Sequence, residues 1–182
     1  MAKKRIFVGI PVEESLSGKI VEWRNKNFVS FSVRNLPEEN LHVTLVPPWK
    51  EDKIDDVFEK LLAKGKSIAS FEIVFEKVSF GPSAKHPRLI WAQAKTSAAF
   101  INLKNEIYER LGFQSDIRFT PHLTLARFRE GDFARFSIQK MKRNIFWKLP
   151  VNSICLYESK LGRSGAIYTK LESVLLYTKN NF

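Results

Sequence analysis

Cysteine is almost absent: Cys155 stands alone among 182 residues. One thiol excludes an internal disulfide and any zinc site built on paired thiolates. It lies in the apolar run Ile154-Cys155-Leu156, which suits a buried small hydrophobe and fits a reducing, cytoplasmic setting. Histidine is scarce too, with three. No apolar run nears the ~20 residues that span a bilayer, so no membrane partner is expected. The N-terminal apolar stretch ends at Glu13-Glu14, too short for a signal peptide. No segment is low in complexity and none reads as a flexible linker. Residues 1–182 are therefore expected to form one domain.

Apolar material is ample. Hydrophobic residues make up 44% of the chain, with 15 Phe and 4 Trp, enough for a real core. The net charge is +11 and the pI about 9.8, a field that attracts polyanions. Residues 1–100 hold 16 Lys+Arg against 12 Asp+Glu, a net of +4; residues 101–182 hold 14 against 7, a net of +7. The second half is the stronger candidate for a polyanion track.

Periodicity predicts a strand near Arg5–Val12, a helix over 13–26 and a strand over 28–33, where Phe-Val-Ser-Phe-Ser-Val alternates. A further strand spans 41–46, and Pro47-Pro48 is expected to stop it. Helices are predicted over 51–64 and 97–111, the second closed by Gly112. Strands are predicted at 71–80 (with a bulge near Lys77), 88–94, 123–128, 147–157 and 167–176, and a short helix at 132–142. A faint duplication runs through this order. Arg5-Ile6-Phe7-Val8 resembles Arg88-Leu89-Ile90-Trp91; each precedes a helix and then a strand bearing His-x-Thr-Leu, 37 and 34 residues on. Two copies of a strand-helix-strand unit imply two lobes that bring matched residues face to face.

Leu41-His42-Val43-Thr44-Leu45 and Pro121-His122-Leu123-Thr124-Leu125 carry the chemistry. Alternation along a strand puts His42 and Thr44 on one face, and His122 and Thr124 likewise. Val43, Leu45, Leu123 and Leu125 then fix the register from the buried face. Two imidazoles and two hydroxyls facing one another suit phosphoryl transfer at a cyclic phosphodiester. A neutral imidazole takes a proton from water, an imidazolium gives one to the departing oxygen, and the hydroxyls donate to the phosphoryl oxygens. Two histidines with no third ligand make a poor zinc or manganese site, so no metal and no cofactor is expected.

These two words, within this framework, resemble the 2H phosphoesterase superfamily, and within it the RNA 2′,3′-cyclic phosphodiesterase branch, the LigT-like or 2′-5′ RNA ligase family. The similarity runs from Arg5-Ile6-Phe7-Val8 through Pro87–Ala92 and Phe119–Arg127 to Ser159-Lys160-Leu161 and Gly165-Ala166-Ile167-Tyr168. The resemblance implies a bilobal α+β fold with antiparallel sheets lining a central cleft. It implies metal-independent opening of a 2′,3′-cyclic phosphate, on an RNA end or a small cyclic nucleotide, to a 2′-phosphate. A monomer is expected. His42, Thr44, His122 and Thr124 become the expected catalytic set; the resemblance does not fix which histidine is the acid, and the order assigned is His122 as base and His42 as acid. Arg127, just past the second word, is expected near the phosphate. Arg88, at the mouth of a central strand, is read either as a phosphate ligand or as the partner of a carboxylate. The chain departs from the family pattern at Val46-Pro47-Pro48-Trp49, where many relatives have Phe-Leu-Gly. Trp49 is read either as a base-stacking residue or as core. 2′-5′ RNA ligation, another 2′-linked phosphodiester or a non-catalytic RNA-binding role stay open at this point.

Overall fold

A computed structural model describes residues 2–65, 67–83, 85–114, 120–162 and 165–177. The elements run β1 (Lys4–Pro11), α1 (Glu14–Asn27), β2 (Arg34–Asn35), a 3₁₀ turn at Glu38–Asn40, β3 (His42–Glu51), α2 (Ile54–Gly65), β4 (Phe71–Gly81), β5 (Leu89–Ala94), α3 (Ala98–Leu111), β6 (His122–Arg127), α4 (Glu130–Phe133), β7 (Lys142–Val151), β8 (Ser153–Gly162) and β9 (Gly165–Leu175). All the ladders between these strands are antiparallel, in the order β7-β4-β5-β6-β3-β1-β8-β9, with β2 beside β6. The fold is α+β, an antiparallel sheet with helices against it.

The order is symmetric about its middle. β5-β6 on one side answers β1-β3 on the other, and the two halves meet where Val43 pairs with Leu123. One apolar core runs through both halves. Val43, Leu45, Leu123 and Leu125 are fully buried in it, with Ile6, Ile10, Ile20, Phe75, Phe100, Leu103 and Ile107. The helices cross over: α1 touches β7 in the opposite half, and α3 packs against β3.

Local chemistry accounts for the ends of α3. Ser97 accepts the Phe100 N–H at 3.2 Å as N-cap. Gly112, at φ 76°, ends the helix in the left-handed region. The expected bulge in β4 lies between Phe75 and Lys77.

Four expectations change. The alternation at 28–33 does not make a strand. Phe31 N–H donates to Phe28 O and Val33 N–H to Phe31 O, so the segment turns. The aromatic rings at 28 and 31 pack together at 6.3 Å while Val29 stays exposed. Pro47-Pro48 does not end β3. Ile6 pairs with Trp49 and Val8 with Val46, so both prolines face the single residue Phe7 in a bulge, where no ladder donor is needed. The helix expected at 132–142 shrinks to Glu130–Phe133. The strand expected over 147–157 is two strands divided at Asn152. β7 joins β4 at one end of the sheet, while β8 joins β1 in the other half. Apolar periodicity continues across Asn152 because both strands feed the same core.

Candidate active site

β3 and β6 run side by side at the centre of the sheet. With Val43 and Leu123 turned into the core, His42, Thr44, His122 and Thr124 turn together into a cleft of about 460 Å³. The ladders on either side match. Pro11 and Gly9 stand opposite His42 and Thr44; Gln93 and Trp91 stand opposite His122 and Thr124.

Each motif also carries the same bulge. The β1–β3 register jumps from Gly9↔Thr44 to Val8↔Val46, and the β5–β6 register from Trp91↔Thr124 to Ile90↔Ala126. The skipped residues are Leu45 and Leu125, the last letter of each word. A bulge shifts side-chain phase by one. In a regular strand Arg127 would face away from His122 and Thr124; after the bulge at Leu125 it lines the same cleft. The Leu125 carbonyl, off the β5–β6 ladder, accepts from Leu36 N–H at 3.0 Å and from the Arg24 guanidinium at 3.1 Å. Arg24 is itself buried and also donates to Leu36 O at 2.6 Å. Its burial lowers its pKa, with Glu38 opposing.

The two imidazoles are anchored alike. His42 Nδ1–H donates to Asn40 O at 2.7 Å, and His122 Nδ1–H to Thr120 O at 2.9 Å. A carbonyl only accepts, so Nδ1 keeps its hydrogen and proton exchange falls to Nε2 in both rings. Burial pushes the His42 pKa down to about 4; the Asn40 carbonyl opposes this, and the positive charges of Arg127 and then His122 add to it. Burial also lowers His122, opposed by the Thr120 carbonyl and aided by Arg127.

Aromatic walls hold the rings. Phe7 lies 4.8 Å from the His42 ring, Tyr168 meets it edge-on at 5.2 Å, and Tyr157 stands at 6.0 Å. His122 has Trp91 at 4.8 Å. The Trp91 indole donates to Ser79 Oγ at 2.9 Å, and Ser79 donates to Gln93 at 3.0 Å. Arg5, Arg34 and Arg127 supply positive charge to the cleft, and no carboxylate is among the described residues that line it. Among the described residues no three His, Cys, Asp or Glu side chains gather as a metal site. No described helix is long and apolar enough to cross a membrane.

The histidine and threonine side chains of both words, and Arg127, thus share one cleft. Arg88 lines an adjoining cavity instead. Trp49 lies off the cleft wall: half-buried, it packs edge-on against Phe113 at 5.3 Å and donates to Glu51 at 3.3 Å, while Pro48 reaches the cleft. Phe119, at the start of the second signature, is outside the described residues. Sequence reasoning missed Phe7, Tyr168 and Arg34 as cleft residues. Phe7 and Tyr168 stand inside words already singled out. Arg34 gave no signal, because the strand expected at 28–33 ended just before it.

A sequence profile of the 2′-5′ RNA ligase superfamily matches residues 12–163. An RNA 2′,3′-cyclic phosphodiesterase of Archaeoglobus fulgidus is 30% identical over 173 residues, covering 92% of this chain and 97% of that protein. One of Escherichia coli is 24% identical, covering 93% and 94%. Among solved structures, a Thermus thermophilus protein superposes with a TM-score of 0.78 at 23% identity, over 97% of this chain and 100% of that one. Escherichia coli LigT complexed with 3′-AMP gives 0.76 at 22% identity, over 96% and 98%.

Proposed function

This chain belongs to the 2′-5′ RNA ligase superfamily, and from that premise we propose that it is a metal-independent RNA 2′,3′-cyclic phosphodiesterase working through His42 and His122. The observation that carries the reading is the pair of imidazoles on neighbouring antiparallel strands, turned into one cleft and each held through Nδ1 by the carbonyl two residues before it. In-line displacement needs a base and an acid on opposite sides of phosphorus, and the two matched strands each turn one imidazole into the cleft.

Water attacks phosphorus and its proton passes to His122 Nε2. The P–O3′ bond breaks, and O3′ takes the Nε2 proton of His42. The products are a 2′-phosphate and a free 3′-hydroxyl. Thr44 and Thr124 donate to the non-bridging oxygens, and Arg127 balances their charge. We take His122 as the base and His42, enclosed by Phe7, Tyr157 and Tyr168, as the acid. As acid, His42 must hold a proton that burial disfavours in the empty cleft. The anionic substrate restores it by offsetting Arg127 and adding negative charge beside the ring.

Product analysis on a nucleoside 2′,3′-cyclic phosphate, with chelator present, tests the reading. The expected result is undiminished turnover to the 2′-phosphate alone. Loss of activity in chelator, restored by a divalent ion, overturns the two-histidine route; a 3′-phosphate product overturns the ribose orientation. A substrate with a better leaving group at the 3′ position should rescue His42→Ala and not His122→Ala; the opposite pattern reverses acid and base.

A further inference from the structure

A second cavity, of about 490 Å³, adjoins the cleft and shares Arg34 and Arg127 with it. Arg88 and Arg129 also line it, so four arginines surround one hollow. The sheet register brings them together. Arg34 pairs with Arg127 across β2–β6, Arg127 pairs with Leu89 across β6–β5, Arg88 precedes Leu89, and Arg129 lies two residues past Arg127. Like charges set opposite one another on neighbouring strands repel, and a merely basic exterior would intersperse them with acids. Asp132 is the carboxylate among the lining residues, and it accepts the backbone N–H of Arg129 at 3.3 Å at the start of α4. Phe128 forms an apolar side of the hollow, stacked on Phe133 at 5.9 Å. Arg34 lies over Gly165, whose missing side chain leaves room: a Cβ there would come within 2.5–2.7 Å of the guanidinium.

An RNA that ends in a 2′,3′-cyclic phosphate continues only in the 5′ direction. The phosphate nearest the reacting one is therefore the diester that joins the terminal nucleoside to its upstream neighbour. We infer that the arginine-lined cavity is the subsite for this upstream phosphodiester, so that the enzyme selects an RNA strand over a cyclic mononucleotide. The inference rests on the cyclic phosphodiesterase reading and concerns the part of the substrate that reading leaves undefined. Planar guanidinium groups on adjacent strands suit a diester's two non-bridging oxygens. Phe128 offers a flat apolar surface beside them for the adjoining nucleoside.

The test compares a nucleoside 2′,3′-cyclic phosphate with a short oligoribonucleotide carrying the same cyclic end, for wild type, Arg88→Gln, Arg129→Gln and the double variant. The readout is the ratio of kcat/KM for oligonucleotide over mononucleotide. Wild type should favour the oligonucleotide, and the double variant should lower the ratio by about tenfold. The salt dependence of oligonucleotide kcat/KM should flatten by roughly one power per arginine removed. Lysine at both positions should restore most of that slope. An unchanged ratio in the double variant, or equal loss on both substrates, overturns the subsite. If wild type hydrolyses neither substrate, the phosphodiesterase reading fails first and takes the subsite with it.

Discussion

His42 and His122 occupy corresponding places on β3 and β6, yet their surroundings diverge. Counting outward from the shared bulge, Gly9 corresponds to Trp91, Pro11 to Gln93 and Pro47 to Arg127. In the first half the position facing the threonine has no side chain, and the space beside His42 is filled by Phe7 and by tyrosines from β8 and β9. In the second half an indole fills that position, fixed by Ser79. The first half has Pro47 where the second has Arg127. Duplicated backbone thus gives two like-placed imidazoles, and unlike neighbours separate their affinities for a proton. In the empty cleft that difference leaves His42 the harder imidazole to protonate, so the proposed role of His42 as acid depends on a bound anion reversing the order.

Removing each imidazole is the most severe test of this division. His42→Ala and His122→Ala should each lower kcat on a cyclic nucleotide by about 10²–10⁴-fold. The double variant should lose far less than the product of the two, since the residues act as a unit. Steady-state kinetics on the three variants decides it, and near-normal turnover in either single variant removes that histidine from the chemistry.

Next come the hydroxyls. Thr44→Val and Thr124→Val should cost about 10²-fold in kcat, the scale of a lost donor to transition-state charge, with melting temperatures near wild type. If Thr44→Val alone turns over normally, only the second half supplies a phosphate donor.

The unequal imidazoles should also appear in pH dependence. A His42 pKa of about 4 in the folded protein, against about 6.5 unfolded, means that the unfolded chain binds its proton more readily. The corresponding stability is fully present above about pH 6.5 and is lost as the pH falls toward 4, by up to roughly 3 kcal/mol. Urea unfolding at steps between pH 7.5 and 4.5 measures this, and His42→Phe should flatten the profile. NMR titration should place His42 below His122, and inorganic phosphate should raise both.

The smallest change probes the glycine. A Cβ on Gly9 would stand 3.2 Å from Val43 O and 3.3 Å from the His42 ring. Gly9→Ala should lower kcat by several-fold by shifting that imidazole, roughly the effect of a sub-ångström misplacement. Gly18→Ala, on an exposed face of α1 with nothing within 4 Å, should leave kcat alone and add up to ~1 kcal/mol of helix stability.

The two words were legible because alternation fixes which residues share a face, whatever the rest of the sheet does. What lay beyond them depended on bulges, and a bulge leaves little trace in periodicity. The resemblance between Arg5-Ile6-Phe7-Val8 and Arg88-Leu89-Ile90-Trp91 is offset by one from the structural match, in which Ile6 corresponds to Arg88 and Val8 to Ile90. Arg127 reaches the cleft only through the phase change at Leu125. Pro47-Pro48 looked like a terminator because the sequence does not reveal that Phe7 alone would face them. Arg34 depends on a two-residue strand, too short to leave a pattern. The break at Asn152 was hidden because both flanking segments are apolar, and the choice of partner strand is a long-range decision.

The division at Asn152 has a consequence for synthesis on the ribosome. β1 lies between β3 and β8, so it must wait for residues 153–162 before it has its second neighbour. Tyr157 and Tyr168, which enclose His42, come from the same late segment. A nascent chain has both His-x-Thr words once residue 124 is made, yet it holds an unfinished cleft with an open sheet edge until residues 153–168 are made. Such contacts, distant in sequence, are slow to form and leave the edge exposed meanwhile. The cleft is therefore completed by β8 and β9, and β1 is the strand most dependent on protection until then.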